Sequence, residues 1–279
     1  MRSMGLLFAL ALPGLAGAAT PGRVVSLGGD ITETVYALDA QSSLVGVDST
    51  SEWPAAAHAL PDVGYVRQLA AEGVLSLRPQ LIIATHDAGP PQVLAQLRSA
   101  GVGIETLPVT YTPDDVLAKV RTIGHLLGKD DAANALAGKI ALQYAQLGKA
   151  VAAMPRHPRV AFLMSAGGGS PLLAGTQTAA MHAIALAGGT NVVDSYSGYK
   201  PVSAEAIAAL APEVIVLMRE RADALGGIDG VLKLPGVALT PAGKMRRIIL
   251  VDGQALLGFG PRNAEQELAL QRELAAASR

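Results

Sequence analysis

Cysteine is absent from all 279 residues. Its absence excludes disulfides, thiolate metal sites and cysteine nucleophiles. It is also expected to leave the chain without a lipid anchor of the kind attached to an N-terminal cysteine. Aromatic residues make up only 4% of the chain, with one tryptophan. Charge of either sign is nearly balanced, 22 basic against 23 acidic residues, so the basic excess expected of a nucleic-acid-binding protein is missing. Long apolar runs are missing too: each candidate is broken by charge, glycine or proline, and none reads as a membrane span. No G-x-S-x-G, H-E-x-x-H or G-x-x-x-x-G-K-[ST] motif occurs. Gly258-Phe259-Gly260 opens like a dinucleotide fingerprint, but Asn263 stands at the third glycine position and no βαβ unit follows. The five histidines, His58, His86, His125, His157 and His182, show no i, i+4 pairing, so they read as surface or packed residues and not as a metal set.

What is present begins with a secretion pattern. Arg2 supplies a positive start, Gly5 to Leu15 a short apolar stretch, and Ala16-Gly17-Ala18 a small-x-small cleavage site. Together they predict a signal peptide over 1–18 and export to the periplasm. Beyond it, a degenerate repeat is visible. Ala71-Glu72, Leu77, Pro79 and Ile82 recur as Ala204-Glu205, Leu210, Pro212 and Ile215, each pair 133 positions apart. Each copy predicts a short helix, a proline turn and a buried strand. A second echo, at an offset of 136, joins Arg23–Leu27 to Arg159–Leu163; both strands run into glycines, Gly28-Gly29 and Gly167-Gly168-Gly169. Continuous apolar strands of this kind predict parallel sheets covered on both faces.

Between the copies the sequence predicts two helices. Thr112-Pro113-Asp114-Asp115 is a helix start, with proline at the first helical position and acids at the positive end of the dipole; that helix should stop near Gly128. The second, from about Asp130 to Met154, is rich in Ala, Leu, Lys and Gln and ends before Pro155. These readings divide the chain into a signal peptide at 1–18, an N-terminal α/β lobe at 19–129, an interlobe helix at 130–155 and a C-terminal α/β lobe at 156–279. A single long helix joining two lobes implies limited opening between them.

Tyr65 is the candidate with chemistry. It lies in the turn-rich run Leu60–Arg67, ahead of the helix carrying Glu72, on a loop at a lobe edge. Phenolate is a hard anionic ligand suited to ferric haem iron. With a free pKa of about 10, it needs a metal and a nearby cation to stay ionised, and Arg67 is placed to be that cation. A loop tyrosine beside an arginine is also an ordinary surface pair, and spacing alone leaves both readings open.

The stretches Arg23–Glu33, Leu60–Ile83, Gly198–Leu217 with Gly198-Tyr199-Lys200-Pro201, Leu234-Pro235-Gly236 to Gly243 and Leu257-Gly258-Phe259-Gly260-Pro261-Arg262 resemble, in order, the haemin-binding proteins of the cluster that also holds vitamin B12 and ferric-siderophore binding proteins. The resemblance implies two Rossmann-like α/β lobes joined by a long rigid helix, with no enzymatic activity and with haem held between the lobes as cargo. It implies Tyr65 as the axial iron ligand, Arg67 as support for the phenolate or a propionate, and Gly167, Gly168 and Tyr199 as further ligand contacts. Glu72 and Glu205 are implied to dock an inner-membrane ABC permease with its ATPase, haem arriving from an outer-membrane receptor system. Relatives that stack two haems carry a histidine in the strand-end loop of the second lobe. Here that loop reads Ser165-Ala166-Gly167-Gly168, so one five-coordinate haem is the default and a stacked pair the alternative. Cobalamin or a ferric siderophore on the same scaffold is the other reading of the cargo.

Overall fold

The computed structural model describes residues 21–109, 111–165 and 170–278. The signal-peptide segment, Gly167 and Gly168 lie outside the described residues. The N-terminal half runs β1 (Val24–Leu27), α1 (Gly29–Ala37), β2 (Leu44–Val47), α2 (Ala71–Ser76), β3 (Leu81–Ala84), α3 (Pro91–Ser99) and β4 (Gly103–Thr106). Two helices follow, α4 (Pro113–Leu126) and α5 (Asp130–Ala152). The C-terminal half runs β5 (Arg159–Ser165), β6 (Leu172–Ala174), α6 (Ala179–Leu186), β7 (Thr190–Asn191), β8 (Tyr199–Pro201), α7 (Ala204–Leu210), β9 (Val214–Met218) and α8 (Arg219–Ala224). It continues through α9 (Ile228–Leu232), α10 (Pro241–Lys244), β10 (Ile248–Val251), α11 (Gly253–Leu257) and α12 (Asn263–Ala277).

The repeat seen in the sequence is a repeat of topology. The first sheet has the order β2-β1-β3-β4, all parallel. In the second sheet β7, β5, β9 and β10 pair in the same parallel order. A central strand of each sheet, Val-Val-Ser-Leu of β1 and Val-Ile-Val-Leu-Met of β9, is buried along its whole length, as expected where helices cover both faces. The second lobe adds something the apolar pattern did not show. β6 and β8 form an antiparallel extension beside β5, built from two three-residue strands too short to carry a period-2 signal.

The helical connector follows its caps. Thr112 Oγ1 accepts from the Asp115 backbone N–H at 3.2 Å while Asp115 Oδ2 accepts from that of Thr112 at 3.0 Å, a closed capping box at the start of α4. In α5 the buried residues are Ala133, Ala137, Ile140, Tyr144 and Leu147, one stripe at alternating spacings of four and three. With 23 residues the helix is about 35 Å long. Its tight seat against α4 needs glycine: a Cβ on Gly124 would fall 2.2 Å from that of Ala133.

One apolar core runs through both lobes. Val24 and Ile83 of the first sheet, Ile123 of α4, Ile140 of α5, Leu270 of α12, and Val160 and Val216 of the second sheet belong to a single buried cluster. The outer faces of the sheets have separate clusters of their own. A shared, close-packed core resists independent movement of the halves, so the cleft between them has a restricted range of opening.

Candidate ligand cleft

The loops at the carboxyl ends of β1 and β3 supply one wall of a cleft of about 670 Å³, and loops around β8, β9 and β10 supply the other. This is the side on which open α/β sheets place their ligands. The turn after β1 is built for close approach. Gly28 has φ 137°, and a Cβ there would lie 2.5 Å from Thr85 Cγ2. The Gly28 N–H donates to Asp48 Oδ1 at 2.8 Å, and Asp48 Oδ2 also accepts from the Thr50 hydroxyl at 2.7 Å. Asp48 is thereby a buried clasp that folds the 48–51 loop against the glycine turn. Burial raises its pKa despite those hydrogen bonds.

Tyr65 and Arg67 both line the cleft. Arg67 Nη1 donates to Tyr65 Oη at 2.6 Å, and its Nε donates to Asp87 Oδ2 at 2.6 Å, with Nη2 also against that oxygen. Thr85 donates its hydroxyl to the other carboxylate oxygen of Asp87 at 2.8 Å. Partial burial opposes ionisation of Asp87, but Thr85 and the Arg67 guanidinium hold its carboxyl below the usual range. Burial likewise works against the charge on Arg67, and Asp87 with Tyr65 outweighs it. Tyr65 keeps 37% of its surface exposed and lines the cleft with its hydroxyl held by Arg67.

Tyr199 faces the same cleft from the second lobe. It stands 134 positions after Tyr65, and each follows a glycine with positive φ, Gly64 at 90° and Gly198 at 77°. The surroundings differ. Pro201 stands where Arg67 stands in the first copy, and burial pushes the Tyr199 pKa up although Thr178 and Ala180, at the start of α6, favour ionisation. Glu72 and Glu205 are exposed in the first turns of α2 and α7, matching positions on matching helices.

Sequence reasoning missed several cleft residues. Asp87 and His86 sit on the loop after β3, Arg221 on α8, and Tyr111 on the segment into α4; all four line the cleft. Tyr111 is fixed by stacking on the His182 ring, 4.4 Å between centroids, and by an edge contact with Phe259 at 5.6 Å. Burial lowers the His182 pKa. No period or motif marks these residues, although position 87 could have been found from the loop that follows the first repeated strand. Among the described residues no group of three or more His, Cys, Asp or Glu is placed to hold a metal ion.

Two solved structures share this architecture. The periplasmic haem-binding protein BhuT, in complex with two haems, is 39% identical, with a TM-score of 0.87 over 92% of this chain and 99% of that one. The periplasmic haem-binding protein RhuT from Roseiflexus sp. RS-1, in apo form, is 38% identical, also with a TM-score of 0.87 over 92% and 99%. Among curated proteins, a cobalamin-binding protein of Halobacterium salinarum is 30% identical over 202 residues, 70% of this chain and 53% of that one. The chain thus matches about half the length of that relative. The family model described as periplasmic binding protein matches residues 24–255. The chain belongs to the periplasmic binding protein family, a family of ligand-binding proteins and not of enzymes.

Proposed function

We infer that this protein carries haem in the periplasm and presents it to the ABC permease and ATPase of an importer. The observation that carries the reading is the Tyr65 phenol, which lines the cleft and is hydrogen-bonded by Arg67 at 2.6 Å. A phenol oxygen held by a guanidinium hydrogen bond and lining a cleft is placed to ligate ferric iron. Two relatives of 38–39% identity across 92% of the chain bear haem-binding names, which supports the same cargo.

We read the cleft as holding one haem, bound through Tyr65. Tyr199, the repeat partner of Tyr65, lacks an arginine two positions on, where Pro201 stands, and burial pushes its pKa up. It therefore serves as a wall of the ligand site, and Gly167 and Gly168 are read as further ligand contacts. Arg221, a cleft cation with no carboxylate partner among the described residues, is available to a propionate. Glu72 and Glu205 are the charges offered to the permease, and an outer-membrane receptor system would supply the haem after cleavage of the 1–18 segment.

Cobalamin is the second reading, favoured by the Halobacterium salinarum relative, and a ferric siderophore the third. The experiment that separates them is titration of the purified protein with haemin, cyanocobalamin and a ferric hydroxamate, followed by absorption and calorimetry. Haemin alone should saturate at one equivalent with a high-spin ferric-phenolate spectrum. Saturation by cyanocobalamin or the hydroxamate, with none by haemin, overturns the assignment.

A further inference from the structure

The geometry points to Asp87 as the positioning residue that commits Arg67 to Tyr65, and so makes the cleft select an iron-bearing tetrapyrrole over a metal-free one. This rests on Tyr65 being the iron ligand. Arg67 is a long side chain with 58% of its surface exposed. Left unrestrained it would trade the tyrosine for solvent or for a ligand carboxylate, because guanidinium binds either. Asp87 removes that freedom. It receives Nε at 2.6 Å and is approached by Nη2, which leaves Nη1 directed at the phenol oxygen. Asp87 is itself fixed: Thr85 donates to its second oxygen at 2.8 Å, and Thr85 follows directly on the buried β3. The sheet thus sets the threonine, the threonine sets the carboxylate, and the carboxylate aims the guanidinium at the atom that would meet iron.

The second lobe shows the chain without this relay. At the equivalent place Tyr199 has Pro201 two positions on, with neither a guanidinium nor an aspartate relay behind it among the described residues. The asymmetry assigns metal recognition to the first lobe. The relay acts only through the iron ligand, so its removal should cost haemin binding and not porphyrin binding in general.

The test compares haemin with protoporphyrin IX, which keeps both propionates and lacks the metal. In Asp87→Ala the ratio of haemin affinity to protoporphyrin IX affinity should fall about tenfold, the size of a charge-assisted hydrogen bond, with a weakened ferric-phenolate charge-transfer band. Asp87→Asn, which keeps the shape and one acceptor oxygen, should move the ratio less and in the same direction. In an Arg67→Ala background neither substitution should move it further. An unchanged ratio in both Asp87 variants, or an equal loss for the two ligands, overturns the inference by showing that Arg67 serves the propionates. A wild-type protein with no ferric-phenolate spectrum would instead remove the haem reading on which it rests.

Discussion

Arg262, on the turn ahead of α12, reaches across to Glu33 of α1. Its Nη2 lies 3.0 Å from Glu33 Oε2, and its backbone N–H donates to Oε1 at 2.9 Å. The same guanidinium donates to Asp252 at 2.7 Å and covers the Trp53 ring at 4.6 Å. Gln254 works beside it, accepting from the backbone N–H groups of Glu52 and Trp53, both at 2.9 Å, and donating to the Gly29 carbonyl at 2.9 Å. The C-terminal segment therefore holds the loop that walls the cleft in the first lobe.

Arg262→Met leaves Glu33 buried, at 5% exposure, without its cation. Burial already raises the Glu33 pKa despite the arginine, so the loss should cost about 3 kcal/mol. Urea denaturation measures it, and Trp53, the only tryptophan, should change its emission in the folded variant. A stability within 0.5 kcal/mol of wild type, on the order of a surface change, contradicts the bridging role.

Glu267 of α12 is fully buried, and neither carboxyl oxygen meets a hydrogen-bond partner among the described residues. Burial holds its pKa well above 4.5. In the unfolded chain the group ionises near that ordinary value, whereas in the folded chain it stays protonated. Its contribution is therefore complete below pH 4.5 and is lost as pH rises, at about 1.4 kcal/mol per unit until the folded group ionises. Glu267→Gln should flatten the fall in urea midpoint as pH rises above 4.5. Parallel pH profiles for the two proteins would show that Glu267 does not titrate abnormally.

The parts of the fold legible in the sequence are those in which one residue type has one physical job. Thr112, Pro113 and Asp115 announce the start of α4 because capping chemistry is local. The apolar runs Leu81–Ala84 and Val214–Met218 announce buried parallel strands, and their spacing announces the second lobe. The β6–β8 extension was not legible because its strands are three residues each. Arg262, Glu33 and Gln254 meet across more than 200 positions, and nothing in their neighbours encodes that meeting. In the cleft, Tyr65 and Arg67 are two positions apart and could be paired by eye. Asp87 completes them because the loop after β3 is pinned to theirs, Leu69 N–H donating to Gly89 O and Gly89 N–H to Val66 O, both at 2.9 Å.

Glu72 and Glu205 are exposed at matching places on α2 and α7. If they dock the permease, Glu72→Ala with Glu205→Ala should leave haem titration unchanged and reduce haem uptake into vesicles holding permease and ATPase. Loss of paired interfacial charges costs about 2–5 kcal/mol when they are buried in the complex, enough for a tenfold or greater fall in uptake at limiting carrier concentration. Normal uptake removes the docking assignment, and weakened haem binding moves these residues to the ligand.

The central claim is that Tyr65 binds ferric haem with Arg67 in support. The direct measurement is haemin titration of wild type, Tyr65→Phe and Arg67→Ala, read by absorption and electron paramagnetic resonance. Wild type should show a high-spin ferric-phenolate signature, and Tyr65→Phe should lose it. Arg67→Ala should keep the signature with weaker binding, by less than Tyr65→Ala. An unchanged spectrum in Tyr65→Phe would contradict the account.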